Sequence, residues 1–379
     1  MSSDRVVVTG IGVRTPLGSE PGALWASLLA GETASREWPD LVAAGFPVPR
    51  ACRIEGDLGE PDPARRGRAL ARQAAREAVR DARLAADGRV GVYVGTTMGE
   101  SRVYEDAAEG DGLDLDAAAG SVFAAEVARE LGLDGPRRTY GTACAAGNYA
   151  IGAAAEAVRS GAVDAAVAGG VEPFSRIALL GFARSRAMSS DLCRPFDRGR
   201  TGMQLGEAAA FLVLEPEQSA RARGAEALAA VAGLGLSGDA YHPTAPREDG
   251  SGMAAAMAAC LRSQRRVGWI CAHGTGTAKS DAAEARALRA VFGDAPPPVS
   301  SLKGALGHSL GAATAVQAVA AVLALRAREL PPNANLVELD ESLGLDVVAE
   351  ARPAPELDRV LSCGYAFGGL NSALLLEAV

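Results

Sequence analysis

Short apolar runs rich in β-branched residues or alanine alternate along the chain with longer stretches whose apolar positions recur at helical spacing. Val6, Val7 and Val8 form the first run, and glycines at 10, 12 and 18 are expected to end it. Residues 65–84 set alanines and leucines against arginines with a helical period, and Gly88 follows. A strand is predicted over 90–94, a helix over 123–131 ending at Gly132, and an extended segment over 138–142. Residues 145–160 read as an alanine-rich helix stopped by Gly161, and 165–168 and 210–214 as buried strands. The second half runs in similar order. It reads as strand 227–236, helix 252–262, strand 268–272, helix 281–291, an extended approach over 298–301 and helix 311–328. Strands 360–363 and 373–376 then flank a glycine turn. Such alternation implies a layered α/β architecture. Cys144 and His308 each follow a strand and precede an alanine-rich helix, which suggests matching places in an internal duplication. The seam falls at 216–224 and divides the chain into halves 1–216 and 217–379, expected to form one compact body.

Composition narrows the function classes. With 379 residues and 48% apolar content, the chain can bury a large core. A net charge of −8 argues against general nucleic-acid binding. No apolar run is expected to reach the ~18 residues that cross a bilayer. The first residues lack a signal-peptide layout, so the expected location is the cytoplasm. The cysteines at 52, 144, 193, 260, 271 and 363 form no Cys-x-x-Cys pair, which argues against a disulfide framework. Cys271 and His273 lack further neighbours of ligand type, so no metal is expected.

The scarce residue types carry the chemistry. The chain has three histidines, and two of them lie in glycine-rich segments, Cys271-Ala272-His273-Gly274-Thr275-Gly276-Thr277 and Lys303-Gly304-Ala305-Leu306-Gly307-His308-Ser309. Only two of its 38 Lys and Arg residues are lysines, Lys279 and Lys303, and the latter opens the second segment. Tyr140-Gly141-Thr142-Ala143-Cys144-Ala145-Ala146-Gly147 places a thiol at a strand-to-helix turn. A thiol with two imidazoles suits covalent acyl chemistry plus stabilisation of a developing negative charge. At a helix N-terminus, the Cys144 thiol is expected to have a lowered pKa.

These segments resemble those of β-ketoacyl-acyl carrier protein synthases, the two-histidine condensing enzymes of the thiolase superfamily. Further pieces run the length of the chain: Val8-Thr9-Gly10-Ile11-Gly12, Arg194-Pro195-Phe196-Asp197, Gly206-Glu207, Asp239-Ala240-Tyr241-His242-Pro243-Thr244-Ala245-Pro246 and Phe367-Gly368-Gly369-Leu370-Asn371. The resemblance implies a thiolase-like five-layered α-β-α-β-α fold from two similar halves, and a dimer. It implies that Cys144 takes an acyl group from an acyl carrier protein, with the amides of Cys144 and Phe367 as oxyanion hole. Malonyl carrier protein then loses CO2 with His273 and His308 as donors to the enolate. No cofactor is expected on the protein itself, since phosphopantetheine carries the substrates. By the same resemblance Lys303 pairs with Glu284 and orients the His308 turn. Thr275 and Thr277 bind the phosphopantetheine arm, Phe367 gates the site, and Met98 and Tyr149 line the substrate wall. Asn148 and Tyr149 are expected to narrow an acyl channel, whereas His242 reads as structural. Arg65, Arg66 and Arg68, with Arg198 and Arg200, are candidates for docking the acidic carrier. The segment 105–121 is shorter than in the family, and Ala366 stands where a glycine is usual. Alternatives are a non-condensing acyltransferase, a thioester hydrolase and a subunit of a ketosynthase heterodimer; Cys144 argues against a non-catalytic subunit.

Overall fold

The computed structural model describes residues 5–56, 58–60, 62–85, 87–110, 112–262 and 266–379. Strand β1 (Val6–Arg14) runs straight through the glycines expected to end it. A Cβ at Gly10 would lie 2.2 Å from the Ala78 carbonyl oxygen, and one at Gly12 would lie 1.9 Å from that of Ala74. These glycines let helix α1 (Arg66–Ala82) lie directly on the strand, so they serve close approach and not chain reversal. Arg83, in the left-handed region at φ 50°, ends α1.

The first half continues with β2 (Val90–Gly95), β3 (Arg137–Tyr140), helix α2 (Ala146–Arg159), β4 (Ala165–Glu172), helix α3 (Arg176–Arg184) and β5 (Ala208–Pro216). The second half holds β6 (Ala229–Gly238), helix α4 (Ser251–Leu261), β7 (Trp269–Cys271), helix α5 (Ala278–Phe292), β8 (Val299–Ser300), helix α6 (Ala313–Ala327), β9 (Arg359–Tyr365) and β10 (Leu370–Glu377). Hydrogen bonding joins them in the order β8-β7-β9-β10-β6-β1-β5-β4-β2-β3. From its outer edge inward, each half therefore uses its third, second, fourth, fifth and first strand. Parallel and antiparallel pairings repeat as well: β3‖β2‖β4 matches β8‖β7‖β9, and the two inner pairings of each half are antiparallel. The halves join where β1 pairs with β6, with Val7 opposite Ala230.

Helices α2 and α6 pack together between the halves, α1 covers the first half, and α4 covers the second with α5 against it. The result is the α-β-α-β-α layering. Small residues allow the central layer: a Cβ on Gly147 would lie 2.5 Å from the Ala315 nitrogen. Asn148 does not face a channel, contrary to expectation. It is buried and donates to the Ser362 carbonyl and the Ser372 hydroxyl, both at 3.2 Å, so it staples α2 to the second half.

Two further expectations need correction. Leu310–Ala327 is apolar and long enough to cross a membrane, with mean hydropathy 1.6, but 83% of it is buried inside the protein. A helix apolar on all sides suits a layer enclosed by the two halves of the sheet. Nor does His308 match Cys144 in the repeat. Ala143 and Leu310, at φ 47° and 40°, each open a single 3₁₀ turn that leads into α2 or α6. Gly311 therefore occupies the place of Cys144, and His308 lies three residues before it.

Candidate active site

Three turns from different elements meet at one cavity of about 580 Å³. Cys144 reaches it from the turn between β3 and α2, buried to 7% exposure. His273 enters from the end of β7 and His308 from the turn before α6. The His308 Nε2 lies 3.1 Å from the Cys144 Sγ, and the two imidazole centroids are 5.4 Å apart, edge to face. The amides of Cys144 and Phe367 both act on the thiol. The Leu310 amide donates to His308 Nδ1 at 3.2 Å. In a neutral ring that leaves the proton on Nε2, so His308 presents a donor toward the sulfur and not a base. Burial pushes both histidines well below 6.5, helped by the Lys303 charge, so both are neutral.

The Cys144 thiol differs from expectation. Burial pushes it up to about 12, outweighing the lowering by Lys303 and by the two amides. An N-terminal turn is not enough to make a thiolate when the sulfur has lost its water.

The His273 turn is strapped from below by α5. The Glu284 carboxylate accepts the amides of His273 at 2.8 Å and Gly274 at 2.7 Å. The Asp281 carboxylate accepts those of Thr275 and Gly276 at 3.1 and 3.2 Å. Asp281 and Glu284 lie three residues apart on one face of α5, which is the sequence signal for this arrangement. The buried Lys303 ammonium donates to the His273 carbonyl oxygen. Lys303 and Glu284 thus form no direct ion pair; they grip opposite polar groups of one turn. It is His273, not His308, that they hold. Burial raises Glu284 to about 7 and lowers Lys303, while each offsets the other's shift. His308 is held separately: its amide donates to the Gln204 carbonyl at 2.7 Å, and its carbonyl accepts from Gly206 at 3.0 Å.

Thr275 and Thr277 line the cavity with their hydroxyls 2.9 Å apart. Phe367 is 40% exposed and meets Phe182 of α3 at a centroid distance of 5.4 Å. Ala366 sits at φ −119°, where any residue is at ease, so the missing glycine causes no strain. Met98 and Tyr149 do not line this cavity. Met98 packs in the apolar cluster that contains Cys144 and Phe182, and Tyr149 is half-buried on α2. His242 lines the cavity, where its Nδ1 accepts the amides of Thr244 and Ala245 at 3.1 and 3.0 Å, a turn-holding role. Sequence reasoning missed Tyr365, whose buried ring packs 5.7 Å from that of His273, and Asn371, which donates to Asp239 at 2.7 Å across the cavity wall.

Among the arginines proposed for docking, three are internal struts. Arg66 binds the fully buried Glu207 at 2.6 Å, Arg68 approaches the buried Glu100 at 3.8 Å, and Arg200 is 7% exposed with Asp340 at 2.7 Å. Arg65 and Arg198 are more than half exposed, though paired with Asp62 and Glu338. Among the described residues no cluster of metal-ligating side chains occurs.

Residues 3–220 match the family profile of the beta-ketoacyl synthase N-terminal domain, and 228–337 match that of its C-terminal domain. The chain belongs to the beta-ketoacyl synthase family. It is 38% identical to the tetracenomycin polyketide synthase ketoacyl synthase alpha subunit of Streptomyces glaucescens, over 98% of this chain and 96% of that one. It is 36% identical to the 3-oxoacyl-[acyl-carrier-protein] synthase 2 of Coxiella burnetii, over the full length of both. Among solved structures, the ishigamide ketosynthase/chain length factor superposes over the full length of both chains with a TM-score of 0.94 and 38% identity. A type II PKS acyl-carrier protein in complex with its ketosynthase bound to the hexaketide gives 0.93 and 28%, again over both full lengths.

Proposed function

We propose that this beta-ketoacyl synthase condenses a Cys144-bound acyl group with malonyl-acyl carrier protein, releasing CO2 and β-ketoacyl-acyl carrier protein. The observation that carries the reading is the convergence of a thiol, two amides and two neutral imidazoles on one cavity. In the first half-reaction the Cys144 sulfur attacks the carrier thioester. The carbonyl oxygen becomes an oxyanion between the amides of Cys144 and Phe367, and the pantetheine sulfur leaves with the proton given up by Cys144. In the second, malonyl thioester loses CO2, and the electron pair left behind is held as an enolate. Its oxygen accepts from His273 and from His308 Nε2. The enolate carbon then attacks the Cys144 thioester and expels the Cys144 thiolate, which takes a proton from water to restore the thiol.

Thr275 and Thr277 steer the phosphopantetheine arm, and Phe367 gates the site against Phe182. Lys303 and Glu284 are positioning residues for His273. The functional halves are 1–216 and 217–379, the acyl carrier protein is the partner, and Arg65 and Arg198 remain docking candidates. The protein itself needs no bound cofactor, and the reaction takes place in the cytoplasm. A chain with these relatives serves specialised polyketide or fatty-acid-like synthesis.

Intact-mass analysis after mixing with acyl- and malonyl-carrier proteins tests the reading. Expected are an acyl adduct on peptide 144 and its disappearance, with β-ketoacyl product, when malonyl carrier is added. An adduct in Cys144→Ala, or turnover of the adduct without β-ketoacyl product, would refute it; the latter would favour the non-condensing acyltransferase.

A further inference from the structure

The internal repeat gives the active site a counterpart. Gly311 stands in the place of Cys144, the turn after β2 in that of the His273 turn after β7, and the end of β4 in that of the Phe367 turn after β9. At this counterpart the amides converge on a carboxylate. Glu172, the last residue of β4, accepts the amides of Thr97 at 2.7 Å and of Met98 and Gly311 at 2.8 Å. Its side chain is 1% exposed, and among the described residues no arginine or lysine forms an ion pair with it. Burying a carboxylate without a cation is costly, which directs attention to what it holds. Gly311 lies in the turn between His308 and α6. Its predecessor Leu310 is at φ 40°, a left-handed conformation that persists only where the surroundings impose it. Two contacts impose it here. A Cβ on Gly311 would lie 2.5 Å from the Thr96 backbone, so the turn rests directly on the 96–97 segment. One oxygen of Glu172 accepts from both Thr97 and Gly311 and ties the two together. The Leu310 amide, fixed in this way, donates to His308 Nδ1 at 3.2 Å.

We propose that Glu172 is a positioning residue for condensation: by holding Gly311 it keeps Leu310 left-handed, and the Leu310 amide in turn keeps the His308 proton on Nε2. That proton is the one the enolate oxygen accepts, so the tautomer decides whether His308 can act. The link runs from Glu172 through two successive amides to the imidazole. This inference rests on the condensation reading above, in which His308 donates in the second half-reaction. Acylation makes no such demand. Burial is the main reason the Cys144 thiol is raised, and the Glu172 charge adds to it. Neutralising Glu172 should therefore slow condensation without slowing acylation.

The chain has three histidines, so NMR of the protein with labelled histidine nitrogens reads His308 alone, once His308→Gln has assigned its signals. Spectra are taken without substrate at about pH 8, above the value of about 7 to which burial pushes the Glu172 carboxyl. The wild type should carry the His308 proton on Nε2. In Glu172→Gln an NH2 group faces amides that need an acceptor, and the Nδ1–H form should appear. If about a tenth of the rings keep the competent form, condensation falls roughly tenfold by population alone. Acylation of Cys144 by acyl-carrier protein, followed by intact mass, should not fall. Glu172→Asp keeps the charge but withdraws the oxygens by one methylene. It should shift the tautomer in the same direction, and it serves if Glu172→Gln does not fold. A His308 that keeps Nε2–H in both variants would overturn the link, as would a wild type protonated on Nδ1. Equal losses of acylation and condensation would overturn it too, by assigning Glu172 to the fold in general. A wild type that acylates but releases no β-ketoacyl product would overturn the condensation reading instead, and the tautomer measurement would still decide the link.

Discussion

At the scale of single residues, the environment of Cys144 decides how it can be observed. A thiol pushed up to about 12 is protonated through the neutral range, so only the thiolate fraction reacts with a small alkylating agent. Iodoacetamide labelling of Cys144 should therefore keep accelerating with pH, about tenfold per unit, through pH 8 to 10. A plateau near the usual cysteine value of about 8.5 would show that the amides and Lys303 outweigh burial after all. The histidines should separate by half-reaction. His308 turns its Nε2–H toward the sulfur as a donor, so it is not set up to deprotonate Cys144. His273→Ala and His308→Ala should acylate better than they condense, with condensation down by on the order of 10²–10³. Wild-type condensation in both variants would refute the donor roles. These three residues stood out in the sequence because histidine is scarce here and all three sit in glycine-rich turns. The thiol's ionisation was not legible there, because it depends on burial and on Lys303, Glu172 and the Phe367 amide, all distant from Cys144 in sequence.

Among the elements, the turn after β7 shows why spacing alone misled. Lys303 and Glu284 could be paired from resemblance, but which backbone groups they hold depends on how α5 packs beneath the turn. The positive φ of Gly274 and Gly276 bends the chain so that successive amides point down at two carboxylates. Lys303→Met would leave the His273 carbonyl without its buried donor and Glu284 without its nearest positive charge. Removing one partner from such a buried set costs about 3 kcal/mol. The expected result is a lower melting temperature and a condensation rate reduced at least tenfold, as misplacement of a catalytic group implies, with acylation less affected. Equal losses in both half-reactions would mean that Lys303 supports the fold in general and not His273 in particular. Strand lengths were under-read for a related reason. Gly10, Gly12 and Gly169 look like breakers in sequence but mark places where backbones touch; a Cβ on Gly169 would lie 1.9 Å from the Ala210 oxygen. Helix α3 was not foreseen at all, since its Ile177 and Leu180 are exposed and blur the amphipathic period.

For the whole molecule, the open question is what covers the outer edge of the first half. β3 ends the sheet there and pairs only with β2, so one row of its backbone groups faces outward beside the exposed Arg137 and Arg138. Those charges discourage random edge pairing. Helices nearby carry exposed apolar side chains: Tyr104 and Leu115 on the segments 101–109 and 115–118, and Ile177 and Leu180 on α3, at 42% to 72% exposure. Exposed apolar groups on helices that pack against one another mark an interface more often than free surface. The expected assembly is an isologous homodimer built around β3, with a heterodimer as the alternative. Sedimentation at micromolar concentration should show one dimeric species. Leu115→Asp combined with Leu180→Asp should weaken it at least tenfold, since two buried apolar side chains per protomer would become charged. A wild type that sediments as a monomer would contradict the homodimer. If that monomer then shifted to a larger species only with a co-encoded homologous chain, the edge of β3 would belong to a heterodimer.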